Sequence, residues 1–158
     1  MRLSGIGYDC HRLSAGRRLV IGGVEIPSER GLDGHSDADV LAHAVIDALL
    51  GAAGLGDIGE HFPDSEERYR DADSLELLGT VLEMVRGLGL QVVNVDCTVV
   101  MEEPRLGPHR GEIRERLARA LELTGERVNV KATSGEGMGF VGRGEGVAAL
   151  AIVSLARR

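Results

Sequence analysis

The order of strand-like and helix-like segments constrains the fold of this 158-residue chain more than any other feature. Period-two alternation and short apolar runs predict strands, whereas apolar residues three and four apart predict amphipathic helices. Together they predict the element order ββααβαββ. The predicted strands are Leu3–Leu13, Arg18–Ile26, Gln91–Met101, Arg127–Thr133 and Gly146–Leu155, and the predicted helices are Asp37–Ala53, Ser74–Arg86 and Pro108–Leu123.

This order indicates an α/β sandwich (α+β) in which the helices cover one face of a mixed sheet. A tight connection, SAGR, suggests that the first two strands form a hairpin, and Ser36 with Asp39 is expected to form a capping box on the first helix. No predicted helix is left to cover the other, apolar sheet face, so we expect that face to pack against other subunits. We expect one domain over residues 1–158.

Composition argues against several classes of function. The formal charge is −7, and the chain has two Phe, two Tyr and no Trp, which is unlike the basic, aromatic surfaces that bind nucleic acids. No apolar run approaches the ~20 residues of a membrane span. Cys10 and Cys97 are too few for a disulfide framework, so a cytoplasmic location is expected.

The N-terminal segment GYDCHR contains three potential metal ligands in a row. On a strand, Asp9 and His11 point to one side and Cys10 points to the other. His43, on the first predicted helix, lies on a stripe distinct from the core face and offers a third ligand. One carboxylate and two imidazoles with an open position are typical of catalytic zinc.

Each of these residues also has an ordinary interpretation. A D-x-H pair is common by chance, and a lone helical histidine is usually a surface residue or a satisfied one. Three loop segments likewise have both a functional and an ordinary interpretation. The 20 residues from Gly54 to Asp73 are longer than a structural loop needs. The segment Lys131–Gly137 offers amides, hydroxyls, a cation and a carboxylate that suit a phosphate with a divalent cation, or it is a mobile turn; Phe140–Gly146 could likewise be a flexible connection.

Several segments together resemble one family. These are GYDCHR, IGGVEIP, GHSDADVLAHAVIDALLGAAGLGDIGEHFPD, NVDCTVV and NVKATSGEGMGFVGRGEG. They contain D-x-H, H-S-D-x-D-x-x-x-H, G-D-I-G-x-x-F-P-D and F-x-G-R-G-E-G, in the order found in the 2-C-methyl-D-erythritol 2,4-cyclodiphosphate synthase family of the non-mevalonate isoprenoid pathway. The resemblance covers nearly the whole chain.

The resemblance implies a homotrimer with active sites between subunits. It implies a phosphorus–oxygen lyase that cyclises 4-diphosphocytidyl-2-C-methyl-D-erythritol 2-phosphate: the 2-phosphate attacks the β-phosphorus and CMP leaves. Asp9, His11 and His43 would bind Zn²⁺, and Glu136 would help to hold a second ion, Mg²⁺ or Mn²⁺, on the substrate diphosphate. His35 and Ser134 would stabilise the transition state.

The resemblance also assigns substrate contacts. For the methylerythritol phosphate they are His35, Ser36, Asp57, Ile58, Gly59, Phe62 and Asp64. For the cytidine diphosphate, in the adjacent subunit, they are Met101, Pro104, Arg105, Leu106, Gly107, Ala132, Thr133 and Ser134. Phe140 and Arg143 would lie near the trimer axis, where an isoprenoid diphosphate could bind. The chain departs from the family pattern at Ser134, where Thr is common, and at Arg105, where Lys is usual.

Two other functions use the same residues. Two histidines and a carboxylate also form the facial triad of non-haem iron oxygenases, although those enzymes are β-rich barrels. A non-catalytic trimeric module that binds a nucleotide or an isoprenoid diphosphate would use the metal structurally. CMP release separates both alternatives from the synthase.

Overall fold

The structure is a computed structural model that describes residues 1–158. The strands are β1 Arg2–Ala15, β2 Leu19–Ile21, β3 Val24–Ile26, β4 Arg30–Leu32, β5 Leu90–Val100, β6 Val128–Thr133 and β7 Gly146–Arg157. The helices are α1 Val40–Ala53, α2 Ile58–His61, α3 Ser74–Gly87, α4 Arg110–Ala120 and α5 Gly139–Gly142. None of these helices is both long enough and apolar enough to cross a membrane.

Five strands form one sheet in the order β4-β1-β7-β5-β6. All neighbours are antiparallel except β5 and β6, which confirms the mixed sheet. The sequence of β7 is apolar because this strand lies at the centre: Val147, Ala149 and Ala151 are buried under the helices, while Leu150 and Ile152 point to the opposite face. The helices pack on one face, as predicted.

Helix α1 lies against β1 and β7 and is covered on its far side by α3. It is therefore buried almost all round rather than along one stripe. The approach to β1 is close because Gly5 and Gly7 face it: a Cβ on either glycine would overlap the α1 backbone at Ala48 or Ala44. This contact brings the middle of α1 next to the residues that follow Gly7.

The other sheet face carries an apolar patch. Ile6 is paired with Ile152 across β1 and β7, and Tyr8 is paired with Leu150. All four side chains are exposed. The patch lies where subunit packing was predicted.

The predicted hairpin between the first strand and Arg18–Ile26 is wrong. Residues 19–26 form their own hairpin, β2 and β3, around Gly22 and Gly23, which both have positive φ. A Gly-Gly pair supplies that two-residue turn without steric cost. The antiparallel partner of β1 on this side is β4 instead.

The bounds of two predicted helices also change. Helix α1 begins at Val40, not Asp37, because Ala38 has φ 56° and Asp39 itself caps the helix by accepting from the N–H of Ala42. Ser36 and Asp39 therefore do not form a capping box. Helix α4 begins at Arg110 after a 3₁₀ turn and ends at Ala120, since Glu122 has φ 53°. Helix α2 and the 3₁₀ turn Glu67–Tyr69 lie within the predicted 20-residue loop.

Candidate metal centre and substrate clefts

Asp9, His11 and His43 converge on one point. Asp9 Oδ2 lies 2.8 Å from His11 Nε2 and 3.1 Å from His43 Nδ1, and the two nitrogens are 3.2 Å apart. Alternation along β1 turns Asp9 and His11 toward α1, the side on which Gly5 and Gly7 let the helix approach. The exposed Cys10 points away, as predicted. The structure thus brings together the three predicted ligands.

The backbone determines which nitrogen of His11 faces this point. His11 Nδ1 lies 2.9 Å from the carbonyl oxygen of Asp33. A carbonyl accepts only, so Nδ1 carries the proton and donates it. Nε2 of a neutral His11 therefore presents a lone pair toward Asp9 and His43.

Side chains determine which nitrogen of His43 faces Asp9. Its Nε2 lies 2.8 Å from Ser74 Oγ and 3.2 Å from Ser36 Oγ. Ser74 Oγ in turn contacts Asp37 Oδ1, and Asp37 Oδ2 accepts from the N–H of Ser74 at 3.1 Å. Ser74 is fully buried. With Nε2 engaged in this way, Nδ1 is the atom left to face Asp9.

Three acceptor atoms consequently lie at close range with no protein donor between them when both imidazoles are neutral. Either protons or a cation must relieve the repulsion. The pKa values respond in the expected directions: burial opposes ionisation of Asp9, but hydrogen bonds from the imidazoles lower its pKa to about 2. Burial likewise opposes charge on His11, yet Asp9 raises its pKa overall. The donor set fits a divalent ion such as zinc.

A cleft of about 440 Å³ opens beside these ligands. It is lined by predicted substrate residues on two segments of the chain, 35–36 and 58–64. These are His35, Ser36, Ile58, Gly59, Phe62 and Asp64. Gly34, Pro63, Tyr69 and Leu77 also line the cleft and were not predicted from the sequence. Phe62 and Tyr69 meet edge to face, with ring centroids 5.4 Å apart.

The loop that carries the cleft residues is tied to α1. Asp47, one turn after His43, accepts from the N–H of Ile58 at 2.8 Å. Asp57 does not line the cleft; its carboxylate caps α2 by accepting from Glu60 N–H at 3.1 Å. The structure thus gives Asp57 a local structural role, and its contact with substrate stays a prediction.

Residues 32–36, which contain His35, are held by an arginine that sequence reasoning missed. Arg17 donates to the carbonyl oxygens of Leu32, Gly34 and Ser36 at 3.0 to 3.2 Å. His35 Nε2 lies 2.9 Å from the carbonyl of Glu66 and therefore donates to it. No short-range pattern signals Arg17, because its partners lie 15 to 19 residues along the chain.

A second cleft, of about 700 Å³, lies at the ends of β5 and β6. The residues predicted for cytidine diphosphate line it, with the exception of Pro104. They are Met101, Arg105, Leu106, Gly107, Ala132, Thr133 and Ser134. Pro104 faces a neighbouring depression with Leu13 and Arg30. The two clefts share no lining residue, so within one chain His35 and Ser134 belong to different clefts.

The remaining predicted residues line neither cleft. Glu136 is exposed with φ 54°, and its N–H donates to Ser134 Oγ at 3.1 Å. Phe140 lies on α5, and Arg143, which follows it, pairs with Glu145 at 3.2 Å.

The cationic role considered for Lys131 is not supported by its surroundings. Lys131 is paired with Asp96 at 2.7 Å on the uncovered sheet face, because alternation along β6 turns it away from the helices.

Comparisons with known proteins agree on one family. The profile of the YgbB family matches residues 2–156. A protein of Syntrophomonas wolfei named 2-C-methyl-D-erythritol 2,4-cyclodiphosphate synthase is 59% identical over 149 residues, covering 94% of this chain and 95% of that protein. One from Geobacillus kaustophilus with the same name is 57% identical over 151 residues, covering 96% of each chain.

Two solved structures extend the comparison. The bifunctional IspDF of Campylobacter jejuni superposes with a TM-score of 0.97 and 42% identity, covering 100% of this chain, which spans 43% of that longer protein. A CDP-bound 2C-methyl-D-erythritol-2,4-cyclodiphosphate synthase superposes with a TM-score of 0.89 and 37% identity, covering 97% of this chain and 99% of that one.

Proposed function

The chain belongs to the YgbB family, and from that premise we propose that it converts 4-diphosphocytidyl-2-C-methyl-D-erythritol 2-phosphate into 2-C-methyl-D-erythritol 2,4-cyclodiphosphate and CMP. An oxygen of the 2-phosphate bonds to the β-phosphorus while the bond from that phosphorus to the bridging oxygen breaks. CMP departs with the bridging oxygen, so the reaction is that of a phosphorus–oxygen lyase. The nucleophile belongs to the substrate, and the protein has only to position the groups and neutralise charge.

The observation that carries this proposal is the convergence of Asp9, His11 and His43 at the edge of the first cleft. Their three acceptor atoms would hold Zn²⁺ and leave a position open for a phosphate oxygen. An ion bound there supplies Lewis acidity to the β-phosphate. Glu136, exposed beside Ser134, would hold a second ion, Mg²⁺ or Mn²⁺, on the diphosphate.

The first cleft would receive the methylerythritol phosphate. Its lining offers the imidazole of His35, the hydroxyl of Ser36 and the backbone N–H of Gly59. His35 already donates from Nε2 to a carbonyl, so its ring orientation is set before substrate arrives. Phe62 against Tyr69 gives the cleft an apolar wall that limits water.

The second cleft would bind the cytidine diphosphate part of a substrate whose methylerythritol phosphate lies in the first cleft of a neighbouring subunit. Arg105 provides a planar cation for phosphate oxygens, and the hydroxyls of Thr133 and Ser134 provide further contacts. The two clefts share no lining residue in one chain, which is consistent with the complete site that the family resemblance implies, one built from the first cleft of one subunit and the second cleft of another. The apolar patch of Ile6, Tyr8, Leu150 and Ile152 supports a trimer built through this sheet face.

The test is to incubate the purified protein with the cytidylyl substrate and Mg²⁺, and to follow CMP and the cyclic diphosphate together. We expect equal amounts of both products. CMP without a cyclic product would indicate simple hydrolysis, and no CMP with any divalent ion would refute the proposal. Anomalous scattering at the zinc edge would identify the ion on Asp9, His11 and His43.

Matched variants make the test specific. His35→Gln keeps a polar side chain but removes the imidazole that lines the first cleft, and should lower CMP release. Arg110, which lines the second cleft but was not assigned a contact, serves as a comparison: Arg110→Gln should matter less than Arg105→Gln. If both arginine variants behave alike, the assignment of Arg105 to the diphosphate is wrong.

A further inference from the structure

We infer that Ser74 and Asp37 form a positioning pair that fixes the tautomer of His43 and thereby makes Nδ1 its metal-binding atom. The inference deepens the proposed function, on which it rests for the identity of the ion. Neither residue lines the first cleft, and neither was among the residues predicted for the site.

The direction of each hydrogen bond follows from donor counting. Ionised Asp37 can only accept, and its Oδ1 contacts Ser74 Oγ. A serine hydroxyl has one proton, so Ser74 gives it to Asp37 and must accept from its other neighbour. That neighbour is His43 Nε2 at 2.8 Å, which therefore carries a proton.

The pair is built into the fold rather than left to a mobile side chain. Ser74 is the first residue of α3 and is fully buried. Asp37 also accepts from the N–H groups of Ser74 and Asp39, both at 3.1 Å. The carboxylate thus joins the start of α3 to the segment leading into α1. Ser36 Oγ, at 3.2 Å from Nε2, is a longer and secondary partner.

A fixed tautomer has a definite benefit at this site. A His43 that exchanged its proton to Nδ1 would donate to Asp9 and lose its lone pair toward the ion. Hydrogen-bond partners on the second nitrogen of a metal-binding histidine typically change metal affinity 10–100-fold. We expect a loss in this range when the Ser74 hydroxyl is removed.

The experiment compares Ser74→Ala, Ser74→Thr and Asp73→Ala with the unchanged protein. Asp73→Ala is the matched control, because Asp73 caps the same helix through Leu75 N–H at 2.8 Å without a hydrogen bond to His43. The first readout is the ¹⁵N shifts of the His43 ring in metal-free protein at alkaline pH. The second is zinc affinity by competition with a chelator.

Ser74→Ala should populate both His43 tautomers and bind zinc 10–100-fold more weakly, whereas Ser74→Thr and Asp73→Ala should retain the protonated Nε2 and bind zinc within a few-fold of the unchanged protein. A pure Nε2–H tautomer with unchanged zinc affinity in Ser74→Ala would overturn the inference, as would an equal affinity loss in Asp73→Ala. If Ser74→Ala does not fold, Asp37→Asn tests the same series of hydrogen bonds, from residue 37 through Ser74 to His43. This variant should also populate both His43 tautomers. Failure of the unchanged protein to release CMP would refute the proposed function alone, since neither readout uses substrate.

Discussion

Gly7 of β1 lies directly against the carbonyl of Ala44 on α1, with no room for a methyl group between them. Ala44 is the residue after His43, and Gly7 lies two residues before Asp9 on the same strand face. The distance between two of the candidate ligands therefore depends on a glycine that contacts neither of them.

Replacing Gly7 with alanine should push α1 away from β1. We expect a loss of about 1–3 kcal/mol in the free energy of unfolding, the usual cost of overpacking, together with weaker zinc binding. Chemical denaturation and chelator competition measure the two effects. Gly79→Ala is the control: Gly79 lies in α3 with open space around it, and alanine there should stabilise the helix by about 0.5–1 kcal/mol. Normal zinc affinity in Gly7→Ala would contradict this account.

Alanine substitutions at Cys10 and His43 should have different effects on zinc content and CMP release. His43→Ala removes one of three ligands, so the purified protein should lose zinc and CMP release. Cys10→Ala should retain both, since Cys10 is exposed on the other face of β1. Elemental analysis after dialysis gives the metal content. Zinc retained by His43→Ala, or lost by Cys10→Ala, would show that the ligands are wrongly assigned.

Arg17→Gln should destabilise the protein and impair the site although Arg17 lies outside both clefts. Its guanidinium serves three carbonyl oxygens of residues 32–36, and the substitution should cost about 1–3 kcal/mol. Because His35 belongs to this segment, KM should rise as well. Arg18→Gln provides the comparison: Arg18 is exposed and pairs only with Glu25, so the change should stay within about 0.5 kcal/mol. Equal effects of the two variants would count against the role given to Arg17.

The metal-free protein should lose stability as pH rises above 6.5. The folded-state pKa of His11 is raised, chiefly by Asp9 acting against burial, so its contribution is fully present below 6.5 and disappears as pH passes the folded-state value. Burial of Asp39 raises its pKa to about 6. The pH dependence of stability that Asp39 causes therefore lies mostly below pH 6.5, outside the range in which His11 acts. His11→Asn should lack the decline, which urea denaturation at several pH values would detect. Zinc should reverse the slope, because the ion needs deprotonated ligands.

The placement of Asp9 and His11 could be predicted because it is local: alternation puts both side chains on one strand face. The helical pattern and the family motif supplied His43 as the third candidate ligand, and the structure places it beside the other two. The hydrogen bonds around them could not be predicted in this way: Ser74 lies 31 residues from His43, and only the packing of α3 on α1 joins them. Short-range patterns report which face a side chain is on, but not which distant residue lies opposite it.

Hydrophobic periodicity predicted the main helices and strands correctly, and its errors lie where the backbone reverses direction. The segment RLVIGGVEI alternates well enough to resemble one strand, yet its two central glycines make it a hairpin. The start of α1 was misplaced for a related reason. Ala38 adopts a left-handed conformation although it is a good helix former, because Asp39 is held at the turn of β2 and β3 by the N–H groups of Gly22 and Gly23.

The separation of the two clefts has a genetic consequence if the proposed trimer forms. A subunit damaged at His43 still carries an intact second cleft, and one damaged at Arg105 still carries an intact metal centre. Two defective alleles expressed in one cell would then complement each other, because a mixed trimer contains some junctions at which both undamaged halves meet. Neither allele alone would support growth that depends on this enzyme, whereas the pair would.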